Sequence, residues 1–299
     1  MAIIEKWMPP SRENWELIVN VFKFFPLVTI FQWIQPWYGA GKTSTKSRFN
    51  IPGKIAWMTM ETPGVITLLY VMNTLPAQVG MSQIPWENKV MGGLFTIHYL
   101  YRAIICPIIA PSMSPIHPLV WIMALGFQIT NGLCIGSWLG GHGPTTRLDW
   151  QSYGNTYIAG GRIELGLFIW AFGLMGNMFH DDELREIRRA ALRNQEYEAQ
   201  EVEKSTGKGK AAKKGVDKVY MIPENGLFKW IFYPHYLCEW FEWAGFWMVG
   251  GWGCVPARTF LVNEIAAMLP RALQGKKWYE ERFGIEKTEG RKAIIPGIL

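Results

Sequence analysis

One apolar stretch of this chain carries groups that apolar stretches avoid. Residues 220–247, YMIPENGLFKWIFYPHYLCEWFEWAGFW, are rich in Trp and Phe and long enough to enter a bilayer, yet contain Tyr220, His235, Glu239 and Glu242. A carboxylate at membrane depth costs a few kcal/mol or more unless it is paired, so it marks an interior site. At about 100° per residue, His235, Glu239 and Glu242 fall within about 60° on one helix face. That is a polar stripe turned toward the inside of a helix bundle.

Three further apolar runs hold reactive side chains. In KIAWMTMETPGVITLLYVM, Glu61 precedes Thr62-Pro63-Gly64. Pro63 frees a backbone carbonyl and predicts a kink. Glu61 reads either as a cap for that kink or as a carboxyl kept protonated by apolar surroundings, able to donate a hydrogen bond. In IHYLYR, His98, Tyr99 and Arg102 stand at i,i+3 and i,i+4 spacings that line one groove. In GLMGNMFHDDELREIRR, Asn177, Asp181 and Arg188 lie at about 0°, 40° and 20° on the helical wheel. Asp181 and Asp182 with Arg185, Arg188 and Arg189 make either ordinary surface pairs, worth a few tenths of a kcal/mol each, or a polar track for a long ligand with phosphates at one end.

The elements that position these groups follow from the distribution of apolar residues. Across 299 residues the apolar share is 49% and the mean hydropathy +0.04. The average hides clumping: apolar runs of spanning length occur near 15–34, 55–75, 90–110, 117–138, 162–180, 234–252 and 254–272. The expected fold is therefore an all-α membrane protein of seven transmembrane helices, one domain over 1–299. Met1–Asn14 is polar, with Pro9-Pro10, and does not read as a cleavable signal peptide. Most of the 30 Lys and Arg, among them Lys42, Arg48, Arg188, Lys214, Arg271 and Arg291, fall on one side of a seven-span arrangement. By the positive-inside rule that side and the C-terminus are cytosolic, and the N-terminus faces the other way.

Residues 194–218 have almost no large apolar side chains and read as a basic cytosolic loop. Its first part extends a helix from Asp181 to about Lys204, and Gly207–Lys214 is expected to be flexible. It is either a solvated linker or a contact for anionic lipid. The four cysteines, Cys106, Cys134, Cys238 and Cys254, have no CxxC spacing and read as free thiols, with no metal site. GAGKTS at Gly39–Ser44 ends like a phosphate-binding loop, but Pro36 stands where the pattern needs Gly and no strand precedes it. Lys42 is left as a possible phosphate contact. No glycine fingerprint of a dinucleotide-binding βαβ unit is present, and no aromatic-interleaved basic module points to nucleic acid.

Taken jointly, these motifs resemble the steroid 5α-reductase family of membrane oxidoreductases, from about Tyr38 to Leu299. The resemblance rests on Ile222-Pro223-x-x-Gly226-Leu227-Phe228, Pro234-x-Tyr236-x-x-Glu239-x-x-Glu242-Trp243, Trp278-Tyr279 and Arg291-Lys292-Ala293-Ile294-Ile295-Pro296. Asn131-Gly132, Arg162, Asn177 with Asp181, Glu61 before Pro63, and His98-Tyr99-x-x-Arg102 also fit. It implies seven helices enclosing a cofactor and substrate cavity in the endoplasmic reticulum membrane, with NADPH as cofactor and a lipophilic, steroid-like enone entering from the lipid. Glu61 and Tyr99 would hold the carbonyl oxygen. Asn177, Asp181, Arg188, Tyr220, His235, Glu239, Arg271 and Tyr279 would surround the cofactor, with His98, Arg102 and Trp243 supporting the substrate pocket. No obligate protein partner is implied.

The chain departs from the family pattern at His235, where Asn is usual, at Met221, where Arg often stands, and at Gln274-Gly275-Lys276-Lys277, which replaces a His-rich run. The implied reaction adds hydride to the β-carbon of an α,β-unsaturated ketone while charge builds on its oxygen, and donors poised there in a dry site lower the barrier. Reduction of enoyl-thioesters or polyprenols is the nearest alternative. A membrane methyltransferase using S-adenosylmethionine is faintly echoed by Tyr233-Pro234-His235-Tyr236 with Glu280-Glu281. A seven-span receptor or transporter would leave residues 220–247 unexplained.

Overall fold

Proline, glycine and charge interrupt the apolar runs, and helices begin and end at those interruptions. The computed structural model describes residues 2–35, 38–152, 161–206, 216 and 218–299. Pro36 and the basic segment Gly207–Lys214 lie outside them. The long helices are α1 (Arg12–Phe22), α2 (Phe25–Ile34), α3 (Gly53–Gln78), α4 (Trp86–Tyr99), α6 (Pro118–Ser137), α8 (Arg162–Thr206), α9 (Pro234–Gly250) and α10 (Val255–Phe283), with short α5 (Cys106–Ile109), α7 (Arg147–Ser152) and α11 (Ile285–Thr288) between and after them. Among the described residues there is no strand, only isolated bridges such as Ile231 with Lys292.

Among the described residues, five helical segments are long and apolar enough to cross a membrane: Arg12–Ile34, Gly53–Gln78, Trp86–Ile109, Pro118–His142 and Arg162–Ser205. They coincide with five of the seven expected spans. The first is broken between α1 and α2, where Pro26 sits in the opening turn of α2. The other two expected spans, 234–252 and 254–272, are α9 and α10. At 17 residues α9 is short, and α10 carries Arg258, Glu264 and Arg271, so neither qualifies on length and composition alone. The surface is apolar where the interior is charged: Phe31, Phe168 and Phe172 are exposed, while Glu239 and Glu242 are buried. That inversion fits an integral membrane protein.

Pro63 lies inside α3, which runs unbroken past it. The expected helix beyond Asp181 also forms, since α8 continues to Thr206. All four cysteines are free.

Two interfaces set the interior. Helix α8 lies along α9 with glycines at the crossing: a Cβ at Gly173 would strike the Glu242 backbone nitrogen, and one at Gly245 the Trp170 nitrogen. Helix α6 meets α3 the same way, Gly132 against the Gly64 carbonyl and Gly136 against Leu68. Small residues let backbones approach where lipid supplies no hydrophobic drive. Gly245→Leu should therefore push α8 and α9 apart and lower the thermal unfolding temperature in detergent by several degrees. An unchanged transition would show that the interface tolerates separation.

Arg162 closes the far end of α9, donating to the Met248 carbonyl at 2.7 Å and the Val249 carbonyl at 2.6 Å. It thereby satisfies carbonyls that a helix C-terminus leaves open. The near end is tied to the C-terminal segment, with Phe232 N donating to Lys292 O and Tyr233 N to Ala293 O, both at 3.0 Å. Arg291 donates to Pro223 O at 2.7 Å. Two stretches about 60 residues apart, around Pro223–Tyr233 and Arg291–Ala293, thus form one seam at the start of α9.

Candidate active site

The polar stripe of α9 faces α4 and α8. His98 Nδ1 stands 2.7 Å from Glu242 Oε1, and its Nε2 is 3.9 Å from Glu239 Oε1. Arg102 Nη1 donates to Asp181 Oδ2 at 2.9 Å, and its Nη2 lies 3.9 Å from Glu239 Oε2. Asn177 Nδ2 donates to Glu239 Oε2 at 3.1 Å and to the His235 carbonyl at 2.9 Å. His98, Asn177, His235, Glu239 and Glu242 are all buried. Buried charges persist only when paired and hydrogen-bonded, and each carboxylate here has such a partner.

A local irregularity shapes this arrangement. Helix α4 stops at Tyr99 and continues as a π-helical turn, Leu100–Ile105, before α5. Wide turns of this kind cluster at functional sites because they redirect side chains along a helix. Here the turn begins directly after His98 and Tyr99 and carries Arg102, which reaches α8 as well as α9.

On α3, Glu61 does not act as a cap at Pro63: Gln128 Nε2 of α6 donates to Glu61 Oε2. The Gln128 side chain also neighbours the Tyr99 phenol. Tyr99 packs between Phe95, 4.5 Å between ring centroids, and His98 at 4.9 Å, with Trp243 at 6.3 Å. Trp243 lies 4.6 Å from the His98 ring. Glu61, Tyr99, His98, Arg102, Trp243, Asn177, Asp181, His235 and Glu239 therefore belong to one connected interior.

The remaining expected residues form an annex at the seam. Tyr279 stacks on Phe232 with centroids 4.8 Å apart, and Tyr220 meets Trp278 edge-on at 5.0 Å. Lys42 reaches into this group. Its ammonium lies 3.9 Å from the Tyr279 ring centroid, 4.8 Å from Trp278 and 5.1 Å from Tyr233, and donates to Tyr233 Oη at 3.0 Å. Burial, and next to it the charge of Arg188, push the Lys42 ammonium down from its usual 10.5 to about 7. Arg188 donates to Ser112 O at 3.4 Å and has no contact with Asn177 or Asp181, so the wheel that aligned the three does not bring their side chains together. Arg271 stacks 4.3 Å over the Tyr38 ring.

The family model described as 3-oxo-5-alpha-steroid 4-dehydrogenase matches residues 203–299. The chain is similar to an uncharacterised protein of Schizosaccharomyces pombe, 32% identical over 264 residues, which are 85% of this chain and 86% of that one. It is also similar to 3-oxo-5-alpha-steroid 4-dehydrogenase 1 of Bos taurus, 25% identical across 86% of this chain and 85% of the relative. Steroid 5-alpha-reductase DET2 of Solanum lycopersicum is 28% identical across 96% and 98%. The chain belongs to the steroid 5α-reductase family.

Steroid 5α-reductase family members are oxidoreductases acting on CH–CH bonds, and the chain is an enzyme of that class. In this family member the matched region contains α9, α10 and the seam, hence Tyr220, His235, Glu239, Arg271 and Tyr279. Glu61, Tyr99, Asn177, Asp181 and Arg188 come from the helices before it.

Sequence reasoning passed over Gln128 and Glu264. Gln128 is the lone long polar side chain within ALGFQITNG of α6, and Glu264 is the lone charged one in LVNEIAAM of α10. A solitary polar residue in an apolar run was the available signal. Arg185 was read only within surface pairs. It keeps its pair with Asp182 Oδ1 at 3.2 Å but is itself buried and also donates to Tyr101 Oη at 2.8 Å, and Asp182 pairs in addition with Arg189 at 3.0 Å.

Proposed function

We propose that this chain reduces the C=C bond of a 3-oxo-Δ4-steroid, or of a similarly lipophilic α,β-unsaturated ketone, with NADPH. The carrying observation is the placement of Glu61 and Tyr99 around Gln128, at one end of a buried polar network whose other end holds Lys42, Arg188 and Arg271. In this reading α9 and α10 complete seven crossings around a shared cavity in the endoplasmic reticulum membrane, the N-terminus lumenal and the C-terminus cytosolic. The residual exposure of Arg102 and Asp181, 15% and 13% of their side chains, supports interior space rather than solid packing.

Several buried polar atoms suit a bound ligand. His235 Nδ1, Gln128 Oε1 and both side-chain atoms of Asn131 have no hydrogen-bond partner among the described residues. Native interiors satisfy most such atoms, so these orphans suit a bound group that completes them. Asn177, Asp181, His235, Glu239, Tyr220 and Tyr279 are the residues proposed to hold the dinucleotide, and Arg188, Arg271 and Lys42 its phosphates. Bound there, a reduced nicotinamide supplies the hydride. Glu61 in its acid form and the Tyr99 hydroxyl donate to the ketone oxygen, where negative charge collects as the β-carbon is reduced. Two donors fixed in place before reaction act there without the reorganisation that water would need. Trp243 and Phe95 exclude water from that oxygen.

NADPH oxidation by purified protein with progesterone, an enoyl-CoA or a polyprenol tests the reading. Oxidation dependent on the enone is expected. Oxidation with the thioester or polyprenol alone would reassign the substrate, and none with any of them would overturn the reading. Arg188→Ala and Arg271→Ala should each raise KM for NADPH by about ten- to a hundredfold, the loss of a charge-assisted hydrogen bond worth about 1.5–3 kcal/mol, and leave KM for the enone nearly unchanged. Equal efficiency of the unmodified protein with NADH and NADPH would take the 2′-phosphate away from these cations.

A further inference from the structure

The enone reduction proposed above leaves one step without a donor, the proton that reaches the α-carbon. Glu264 stands on the face of α10 that also carries Phe260, Ala267 and Arg271, all within about 60° of one another. Both ends of that face are located. The Phe260 ring lies 4.5 Å from Trp243, and the Arg271 guanidinium lies 6.0 Å from the Tyr236 ring. Tyr236 and Trp243 flank Glu239 on α9, so Glu264, between Phe260 and Arg271, sits at about the level of Glu239. Its charged neighbours are Glu239, Glu61, Arg271 and His98, and it neighbours the Tyr99 phenol.

Glu264 thus faces the junction between the pair proposed for the ketone oxygen and the groups proposed for the dinucleotide. The reacting double bond has to lie at that junction. The other carboxyls around this junction are committed: Glu61 to Gln128, Glu239 to Asn177, Glu242 to His98 and Asp181 to Arg102. Glu264 makes no hydrogen bond or ion pair among the described residues and keeps part of its surface accessible.

We propose that Glu264 is the acid that protonates the α-carbon. The β-carbon gains hydride from the reduced nicotinamide, and the electron pair of the resulting enolate takes the Glu264 proton to form the α C–H bond. The carboxylate left on Glu264 is then reprotonated from water.

Glu264→Gln keeps the shape and removes the acid. Its kcat with progesterone and NADPH should fall about a hundredfold or more, the usual contribution of a placed general acid. NADPH affinity, read by quenching of tryptophan fluorescence, and KM for progesterone should stay within about threefold. In deuterium oxide the unmodified enzyme should label one face of the α-carbon, and the slow product of Glu264→Gln should carry label on both. A rate equal to that of the unmodified enzyme, a loss confined to KM, or single-face labelling in the variant would overturn the assignment. Should Glu264→Gln not fold, Glu264→Asp retains an acid set one carbon back: slower turnover with single-face labelling supports the assignment, and mixed labelling overturns it. An unmodified protein that reduces no enone would defeat the underlying reading instead.

Discussion

Glu61→Gln is expected to lower kcat by about a hundred- to a thousandfold, the usual cost of one donor at a developing oxyanion, while NADPH affinity stays within about twofold. The substitution keeps the volume of the side chain, and its carbonyl can still accept from Gln128 Nε2, the bond that orients Glu61 in the native protein. What disappears is the acidic O–H. An amide N–H is the weaker donor, so the deficit should grow as charge accumulates on the ketone oxygen and fall on kcat rather than on KM. Steady-state kinetics with progesterone, beside a fluorescence titration of NADPH, separates the two. Unimpaired turnover would remove Glu61 from the mechanism and leave it as a tie between α3 and α6.

The largest effect on stability is expected at Arg102. Its guanidinium is 2.9 Å from Asp181 and 3.9 Å from Glu239, with most of all three side chains buried. Arg102→Met keeps an apolar stem of similar reach, strands Asp181 and leaves Glu239 with its bond from Asn177 but without this cation. Removing one partner of a buried pair typically costs about 3–5 kcal/mol, because the remaining charge has no solvent to turn to. Thermal unfolding in detergent should show a large drop in transition temperature. Arg102→Lys should recover part of it, since a single ammonium cannot serve two carboxylates as a planar fork does. A transition unchanged in Arg102→Met would mean that water reaches these groups.

How much of this was legible in the sequence varies with the range of the interaction. The face that carries His235, Glu239 and Glu242 follows from helical periodicity, and the structure turns it inward against α4 and α8. Their partners were not legible as partners. His98 with Glu242 spans 144 positions of sequence, and a one-dimensional pattern shows that each needs a counter-charge without showing which. The π-helical turn after Tyr99 was equally hidden, because nothing in LYRAII distinguishes a wide turn from a regular one. Hydropathy counted seven spans where length and composition qualify five among the described residues, and the difference is α9, which is short, and α10, which carries charged residues. Gln128 and Glu264 were passed over for a related reason: one polar residue barely changes the mean of an apolar window. The motif alone makes Lys42 a phosphate contact, and only the fold shows it among aromatic rings about 190 to 240 positions away.

The position of Lys42 ties the protein to proton concentration. Its ammonium titrates near 7 in the folded chain against the usual 10.5, so between those values the unfolded chain holds a proton that the folded chain has released. Stability contributed by this residue therefore rises with pH across that window and is flat below it. An anion seated beside Lys42 works in the opposite sense by favouring the ammonium, and so draws a proton from solution as it binds. Binding enthalpies measured above neutrality would accordingly differ between buffers in proportion to their heats of ionisation. With Lys42→Met that dependence should vanish, a thermochemical signature that needs no turnover to be read.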